Sequence, residues 1–324
     1  MLRRFLAVFE PFILTLVGTV ILASLLPARG MWVPVFGAAA DIGIVLLFFL
    51  HGAKLSREAI IAGAKNWRLH LAVFLSTYAL FPVLGLGLSS LPLLAGPMAA
   101  GLLFLTLLPS TVQSSIAFTA IARGNVAAAV CSASFSNVVG VILTPALVAL
   151  LMRSDGGMSV SAGLSTIETI LLQLLLPFIV GHLMRPLIGG WVTKNKRLVT
   201  VVDRGSILLV VYTAFGAAVV EGLWNRVSAT DLAMLLLVCC VLLAIVLAAT
   251  WGAAKAMKLP REDAIVLLFC GSKKSLASGV PMAGVLFAPA QVGLVILPLM
   301  LFHQIQLIAC ALIARRLAEA GTEA

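Results

Sequence analysis

Residues 266–283, VLLFCGSKKSLASGVPMA, put two adjacent lysines in the middle of an apolar run. The flanks have the character of a membrane span; the centre, Gly271-Ser272-Lys273-Lys274-Ser275, does not. A lysine near the middle of a bilayer costs about 2.5–3.5 kcal/mol on insertion scales, so it persists only where protein or a wet cavity surrounds it. The stretch is therefore expected to be a broken transmembrane helix whose break faces a polar site.

The rest of the chain supports a membrane reading. Of its 324 residues, 62% are hydrophobic and 10% charged, more apolar matter than a soluble core of this size needs. A span needs roughly 20 residues to cross the hydrocarbon layer. Ten apolar runs meet that need, at 11–27, 35–51, 69–88, 97–122, 125–152, 164–188, 199–220, 230–254, 263–287 and 289–314. With the N-terminus inside, seventeen Lys and Arg fall in inner segments and only Arg29, Arg153 and Arg226 in outer ones. That asymmetry predicts both termini in the cytoplasm of a multi-pass cell-membrane protein. The formal charge of +10 thus serves orientation in a lipid bilayer and does not point to nucleic acid. The N-terminus has some signal-peptide character, but residues 12–26 suit a first span better. All five cysteines lie in apolar runs without CxxC spacing and are expected to be small buried hydrophobes, with no metal site and no disulfide framework.

Dividing the chain at residues 153–162 leaves five spans on each side. Five is odd, so the halves, 1–156 and 157–324, enter the membrane in opposite senses, as inverted repeats do. The fourth span of each half is interrupted: LTLLPSTVQSSIAF, 105–118, matches VLLFCGSKKSLASG, 266–279. Both run apolar, then a helix breaker, then polar residues, then apolar again. Paired interrupted spans are the best sequence pointer to a transporter's binding site. The expected fold is all-α, ten transmembrane helices in two inverted five-helix repeats, with broken helices four and nine crossing.

At the first break Pro109 lacks an amide donor. Ser110 and Thr111 are candidate N-caps for a restarted half-helix, and Gln113, Ser114 and Ser115 offer uncharged donors and acceptors. The alternative is a proline kink whose hydroxyls bond back to the helix. At the second break Gly271 permits unwinding, Ser272 is a candidate cap, and Lys273, Lys274 and Ser275 fall in the next first turn. That is the wrong end of a helix for cations, so a carboxylate partner, a bound anion or loss of a proton is called for. Adjacent helical side chains diverge, so one lysine is expected to pair internally and the other to face a cavity; the alternative is two paired lysines bracing the crossing. Asp41, Glu168 and Asp203 are expected at span ends, with His51 and His182 at interfaces. His303, with Gln304 and Gln306, either lines the cavity or buttresses the crossing. Ser132, Ser134 and Ser136 suit helix packing, and Asn137 is nearer the site. The basic loop 51–70 suits an inner segment with Ser56 capping a short interfacial helix.

Together with FFLHGAKLSREAI and CGSKKSLASGVPMA, this pattern resembles the bile acid:sodium symporter family, in the branch holding the vertebrate member seven and its bacterial relatives. The resemblance covers essentially the whole chain. It implies a panel domain of helices 1, 2, 6 and 7, a core domain of helices 3–5 and 8–10, and alternating access between them. It also implies where sodium ligands would fall: Ser114 and Ser115, near Ala129 and Ala133, and at Phe269, Lys273 and Thr77. Of these only Ser114 keeps a matching ligand type. An ammonium in that place repels Na⁺ and supplies the same charge. The expected mechanism is sodium-independent, or coupled to protons through a lysine, with no cofactor.

The expected function is secondary transport of a small organic anion. The alternative is a non-transporting membrane regulator of ion homeostasis or envelope biogenesis. An enzyme is not expected, because the chain has no HExxH, no paired membrane aspartates and no Ser–His arrangement at the breaks.

Overall fold

The computed structural model describes residues 11–54, 66–94, 96–152 and 171–320. Among these residues the secondary structure is entirely helical, with no strand. The protein is an all-helical membrane protein: seven helices are long and apolar enough to cross a bilayer, and two shorter apolar helices, Leu14–Leu25 and Gly96–Leu107, accompany them. The difference from ten expected spans has a physical source. The fourth and ninth runs are each split, neither half of a split run is long enough to cross alone, and the helix of the first run, Pro11–Leu25, has only 15 residues. Ser56, Glu168 and the dividing segment at 153–162 lie outside the described residues.

The chain divides into two compact units, Met1–Leu55 with Arg153–Ser228 and Val280–Ile296, and Ser56–Met152 with Ala229–Gly279 and Leu297–Ala324. In the first, α1 (Pro11–Leu25) and α2 (Trp32–Lys54) pack with α8 (Leu176–Lys194) and α9 (Lys196–Val220). Helices α2 and α8 meet backbone to backbone. A Cβ added at Gly52 would collide with the carbonyl oxygen of Phe178, and one at Gly181 with that of Phe49. Small residues permit this approach where apolar burial gives no drive between helices in lipid. His51 and His182 adjoin the two glycines of this contact. Lys54 forms an ion pair with Asp203 of α9, near the ends of both helices' apolar stretches. Asp41 departs from expectation: it sits near the middle of α2 on an exposed face, not at a span end.

The second unit begins with α3 (Trp67–Leu75), which runs through a π-helical turn, Ser76–Leu80, into α4 (Phe81–Ser89). Then come α5 (Gly96–Leu107), α6 (Gln113–Ile121) and α7 (Val126–Leu151). After the short α10 (Leu223–Arg226) of the first unit, α11 (Ala229–Ala256) and α12 (Arg261–Gly271) return to the second. The chain ends with α13 (Leu276–Leu286) and α14 (Pro289–Ala320), which both pass from one unit to the other. Helix α12 is buried among α3, α6, α7 and α11, with Leu69, Val73, Ala129, Ala133 and Val266 in one apolar cluster. Its N-terminal end is tied down by Asp263, which accepts from Asn66 Nδ2 at 2.8 Å and Asn125 Nδ2 at 2.9 Å. Glu262 and Asp263 in its first turn also suit the positive end of the helix. Cys131, Cys239, Cys270 and Cys310 are buried as expected, but Cys240 is exposed on α11.

The glycine contact between α2 and α8 yields a direct test. Gly181→Val should lower the melting temperature of the detergent-purified protein by several degrees, since overpacking costs about 1–3 kcal/mol and a backbone oxygen cannot move aside cheaply. Gly190→Val, on the same helix with nothing within 4 Å of its added Cβ, should leave it unchanged.

Candidate functional site

The two interruptions meet. Helix α5 stops at Leu107 because Pro109 cannot donate, and the amide of Leu108 turns back to Leu105 O at 3.4 Å. Residues 108–112 are non-helical until α6 resumes at Gln113. Helix α12 stops at Gly271, and residues 272–275 are non-helical until α13. The breaks join by a backbone bond, Ser275 N to Pro109 O, at 2.9 Å.

Each break leaves carbonyls without helical donors, and in hydrocarbon these must find partners inside the protein. At the first break, Leu107 O accepts from Thr144 Oγ1 at 2.8 Å. Pro109 O accepts from Ser275 N, and Ser110 O from Asn137 Nδ2 at 2.7 Å. At the second, Leu268 O accepts from Ser272 Oγ at 2.5 Å and Phe269 O from Ser115 Oγ at 3.1 Å. Cys270 O accepts from Ser110 Oγ at 2.6 Å, and Gly271 O from Ser76 Oγ at 2.7 Å. The hydroxyls of one break thus satisfy the carbonyls of the other.

This exchange corrects three local expectations. Ser110 and Thr111 do not cap α6, whose first turn follows Val112 without a side-chain cap; Thr111 Oγ1 instead donates to Lys274 O at 2.9 Å. Ser272 closes α12 and does not open α13. The cap of α13 is Ser275, whose Oγ accepts from Ser278 N at 3.2 Å. Both lysines precede α13 and do not sit in its first turn. Gly271 contributes by close approach: an added Cβ would lie 3.1 Å from Thr250 and 3.2 Å from Ser76.

Lys274 is fully buried, and its ammonium donates to three backbone carbonyls: Thr77 at 2.8 Å, Thr106 at 2.8 Å and Leu108 at 2.6 Å. The ring of Phe81 lies 4.2 Å away. The Thr77 carbonyl is free for a local reason. Its α-helical donor, the Phe81 amide, bonds Ser76 O in the π turn, and its π-helical donor would be Pro82, which has no N–H. Gln306 clamps the Lys274 peptide at both ends, accepting from its N–H at 2.9 Å and donating to its C=O at 2.9 Å. Its Nε2 also donates to His303 Nδ1 at 2.9 Å, so His303 buttresses the crossing.

Lys273 is fully buried as well, yet its Nζ has no hydrogen-bond acceptor among the described residues. It rests against the faces of Phe118 at 4.3 Å and Phe269 at 5.4 Å, within cation–π range. Among the described residues no carboxylate pairs with either lysine.

The remaining candidates divide. Gln113 is exposed, and Ser114 has a buried hydroxyl without a partner among the described residues. Thr77 Oγ1 is spent on Val73 O at 2.8 Å. Asn137 bridges the breaks by binding Ser110 O and accepting from Ser278 Oγ at 2.8 Å. Ser136, expected only to pack, accepts the Ser110 amide at 3.0 Å. Ser132 pairs with His70 Nδ1 at 2.7 Å. Gln304 Oε1 is buried without a partner among the described residues. Ser76, Thr106 and Thr144 join the network unexpectedly. Ser76 and Thr144 serve by their hydroxyls, whose only sequence signal is a polar group in an apolar run, and Thr106 serves by its carbonyl, which has no sequence signal.

The unequal surroundings of the lysines predict unequal mutants. Lys274→Met orphans three carbonyls at about 1–3 kcal/mol each and should lower the melting temperature by roughly 10 °C or prevent folding. Lys273→Met removes a buried cation without a hydrogen-bond acceptor among the described residues and should hold the melting temperature within about 2 °C or raise it. Thermal unfolding in one detergent checks both.

The sequence has relatives among known proteins. The profile of the SBF-like CPA transporter family matches residues 10–319. An uncharacterized protein of Pseudomonas aeruginosa is 55% identical over 317 residues, covering 97% of this chain and 95% of that one. The symporter-named YfeH of Escherichia coli is 53% identical over 311 residues, covering 95% and 93%. Sodium/bile acid cotransporter 7 of Rattus norvegicus is 26% identical over 276 residues, covering 82% and 79%. With the profile spanning nearly its whole length, the chain belongs to the SBF-like CPA transporter family.

Proposed function

We propose that this protein is a secondary active transporter that moves a small organic anion across the cell membrane by alternating access. In this reading the chain makes ten spans in two inverted repeats, 1–156 and 157–324, with both termini cytoplasmic. Helices 1, 2, 6 and 7 form a panel domain and the rest a core domain. Family membership supports the reading, and the compact units support the panel and core division except at residues 280–296 of helices 9 and 10, which group with helices 1, 2, 6 and 7.

The observation that carries the proposal is the asymmetry at the crossed breaks. Lys274 has all three donors engaged by carbonyls and acts as a fixed brace. Lys273 has three donors and no hydrogen-bond acceptor among the described residues, at the same depth. An ammonium so placed is the group an anionic substrate would meet when the break opens, with Ser114 and Gln113 on the neighbouring half-helix as further donors. It is also the group that could exchange a proton with substrate. Sodium coupling is not part of the proposal. Ala129, Ala133 and Phe269 offer no side-chain oxygen, and Lys273 brings positive charge where the resemblance would put ligands.

A second reading, a non-transporting regulator, draws on one observation: the breaks satisfy each other and the lysines have no exposed surface. Proteoliposomes separate the two. Uptake of labelled mono- and dicarboxylates should saturate, persist when choline replaces Na⁺, and disappear in Lys273→Met at unchanged melting temperature. Strict Na⁺ dependence removes the sodium-free mechanism. Absence of uptake for every anion tried, with folded protein, turns the choice to the regulator.

A further inference from the structure

The Lys273 ammonium rests in a dock made by one ring from α6 and one from α12, all within the second unit. We propose that Phe118 is the latch of this dock, the residue that sets how often the ammonium is available to an anion. This role rests on the transport reading above and adds to it the control of Lys273.

The two rings are held differently. Phe269 is fully buried, its carbonyl accepts from Ser115 Oγ at 3.1 Å, and its ring lies 5.4 Å from the ammonium. It is the fixed wall. Phe118 is closer, at 4.3 Å, and only partly buried. It belongs to a half-helix of nine residues that starts without a side-chain cap. Ser115 and Thr119 of that half-helix turn inward, while Gln113, Ala117 and Ala120 are exposed. Ser114 and Phe118, four positions apart, share the edge between these faces. Rotation of the Phe118 side chain therefore opens the dock toward that edge. One turn along it, the Ser114 hydroxyl is buried and has no partner among the described residues.

Little besides the rings retains the ammonium. Cys270 and Cys310 are its electrostatic neighbours, but a thiol is a weak acceptor, and Cys270 Sγ is directed at Ala129 O, 3.8 Å away. No carboxylate pairs with it among the described residues. An ammonium divided between an aromatic dock and an anion binds the anion only in its undocked fraction, so the apparent affinity is reduced by that fraction. A weaker face at position 118 thus gives tighter anion binding, the reverse of what loss of a substrate contact would do.

The test is reductive methylation of the detergent-purified full chain with formaldehyde and dimethylamine–borane, each lysine being followed by peptide mass spectrometry. In the parent, buried Lys273 and Lys274 should react at less than about a tenth of the rate of exposed Lys196. Phe118→Leu, which removes the aromatic face, should raise the rate at Lys273 by about fivefold or more and leave Lys274 protected by its three carbonyls. Phe118→Tyr, which keeps the face, should behave as the parent. In proteoliposomes, Phe118→Leu should lower the half-saturating concentration of whichever labelled carboxylate the parent takes up by about threefold or more. An unchanged rate at Lys273 in Phe118→Leu, equal gains at Lys273 and Lys274, or an unchanged or raised half-saturating concentration overturns the latch. Absence of uptake by the parent removes the transport reading alone, and the methylation rates still decide whether Phe118 holds the ammonium.

Discussion

The structure depends on backbone carbonyls that two broken helices cannot satisfy within themselves. In water such breaks are cheap, because solvent fills the gaps. In a bilayer each unmet carbonyl is a loss of about 1–3 kcal/mol, and several such losses rival the stability of a whole domain. The solution here is mutual. Ser110 and Ser115 of one segment serve Cys270 and Phe269 of the other, and the Ser275 amide serves Pro109 in return. Neither break can exist without its counterpart, so the crossing forms as one unit or not at all.

Lys274 sits where this network would otherwise fail. Thr106 and Leu108 end a helix at a proline, and Thr77 sits in a turn widened by one residue ahead of another proline. Three oxygens then converge with no amide near any of them. One ammonium answers all three. Gln306 holds its peptide from both ends, and His303 holds Gln306. Beside it, Lys273 rests on the faces of Phe118 and Phe269 and has no hydrogen-bond acceptor among the described residues. Adjacent, chemically identical residues are thus divided into one that builds and one that remains unspent.

Much of this was legible in the sequence. Pro109 and the lysine pair marked both breaks closely, because helix breakers and charges in apolar runs are physically expensive and therefore conspicuous. The division of labour between the lysines was legible only in part: the divergence of neighbouring side chains told that one would pair internally, but Lys273 is fully buried against Phe118 and Phe269 where a cavity-facing lysine was expected. Which lysine took which part was not legible. The acceptors of Lys274 are main-chain oxygens at residues 77, 106 and 108, and a carbonyl has no residue signature. Capping failed for the same reason. Ser110, Thr111 and Ser272 have the chemistry of caps, but a hydroxyl at a crossing can serve the opposite strand of backbone, and only three-dimensional placement decides. Asp41 misled because a count from span ends says nothing of which face is exposed.

The π turn at Ser76–Leu80 has a consequence beyond freeing one oxygen. It links α3 to the crossing through two separate handles, the Ser76 hydroxyl on Gly271 and the Thr77 carbonyl on Lys274. The positive charge received there is tethered, delivered by the chain at an effective concentration no dissolved ion could match. Its occupancy does not vary with the salt outside the cell or within it. A cation that cannot depart cannot be cargo, and Lys274 is the keystone of this unit.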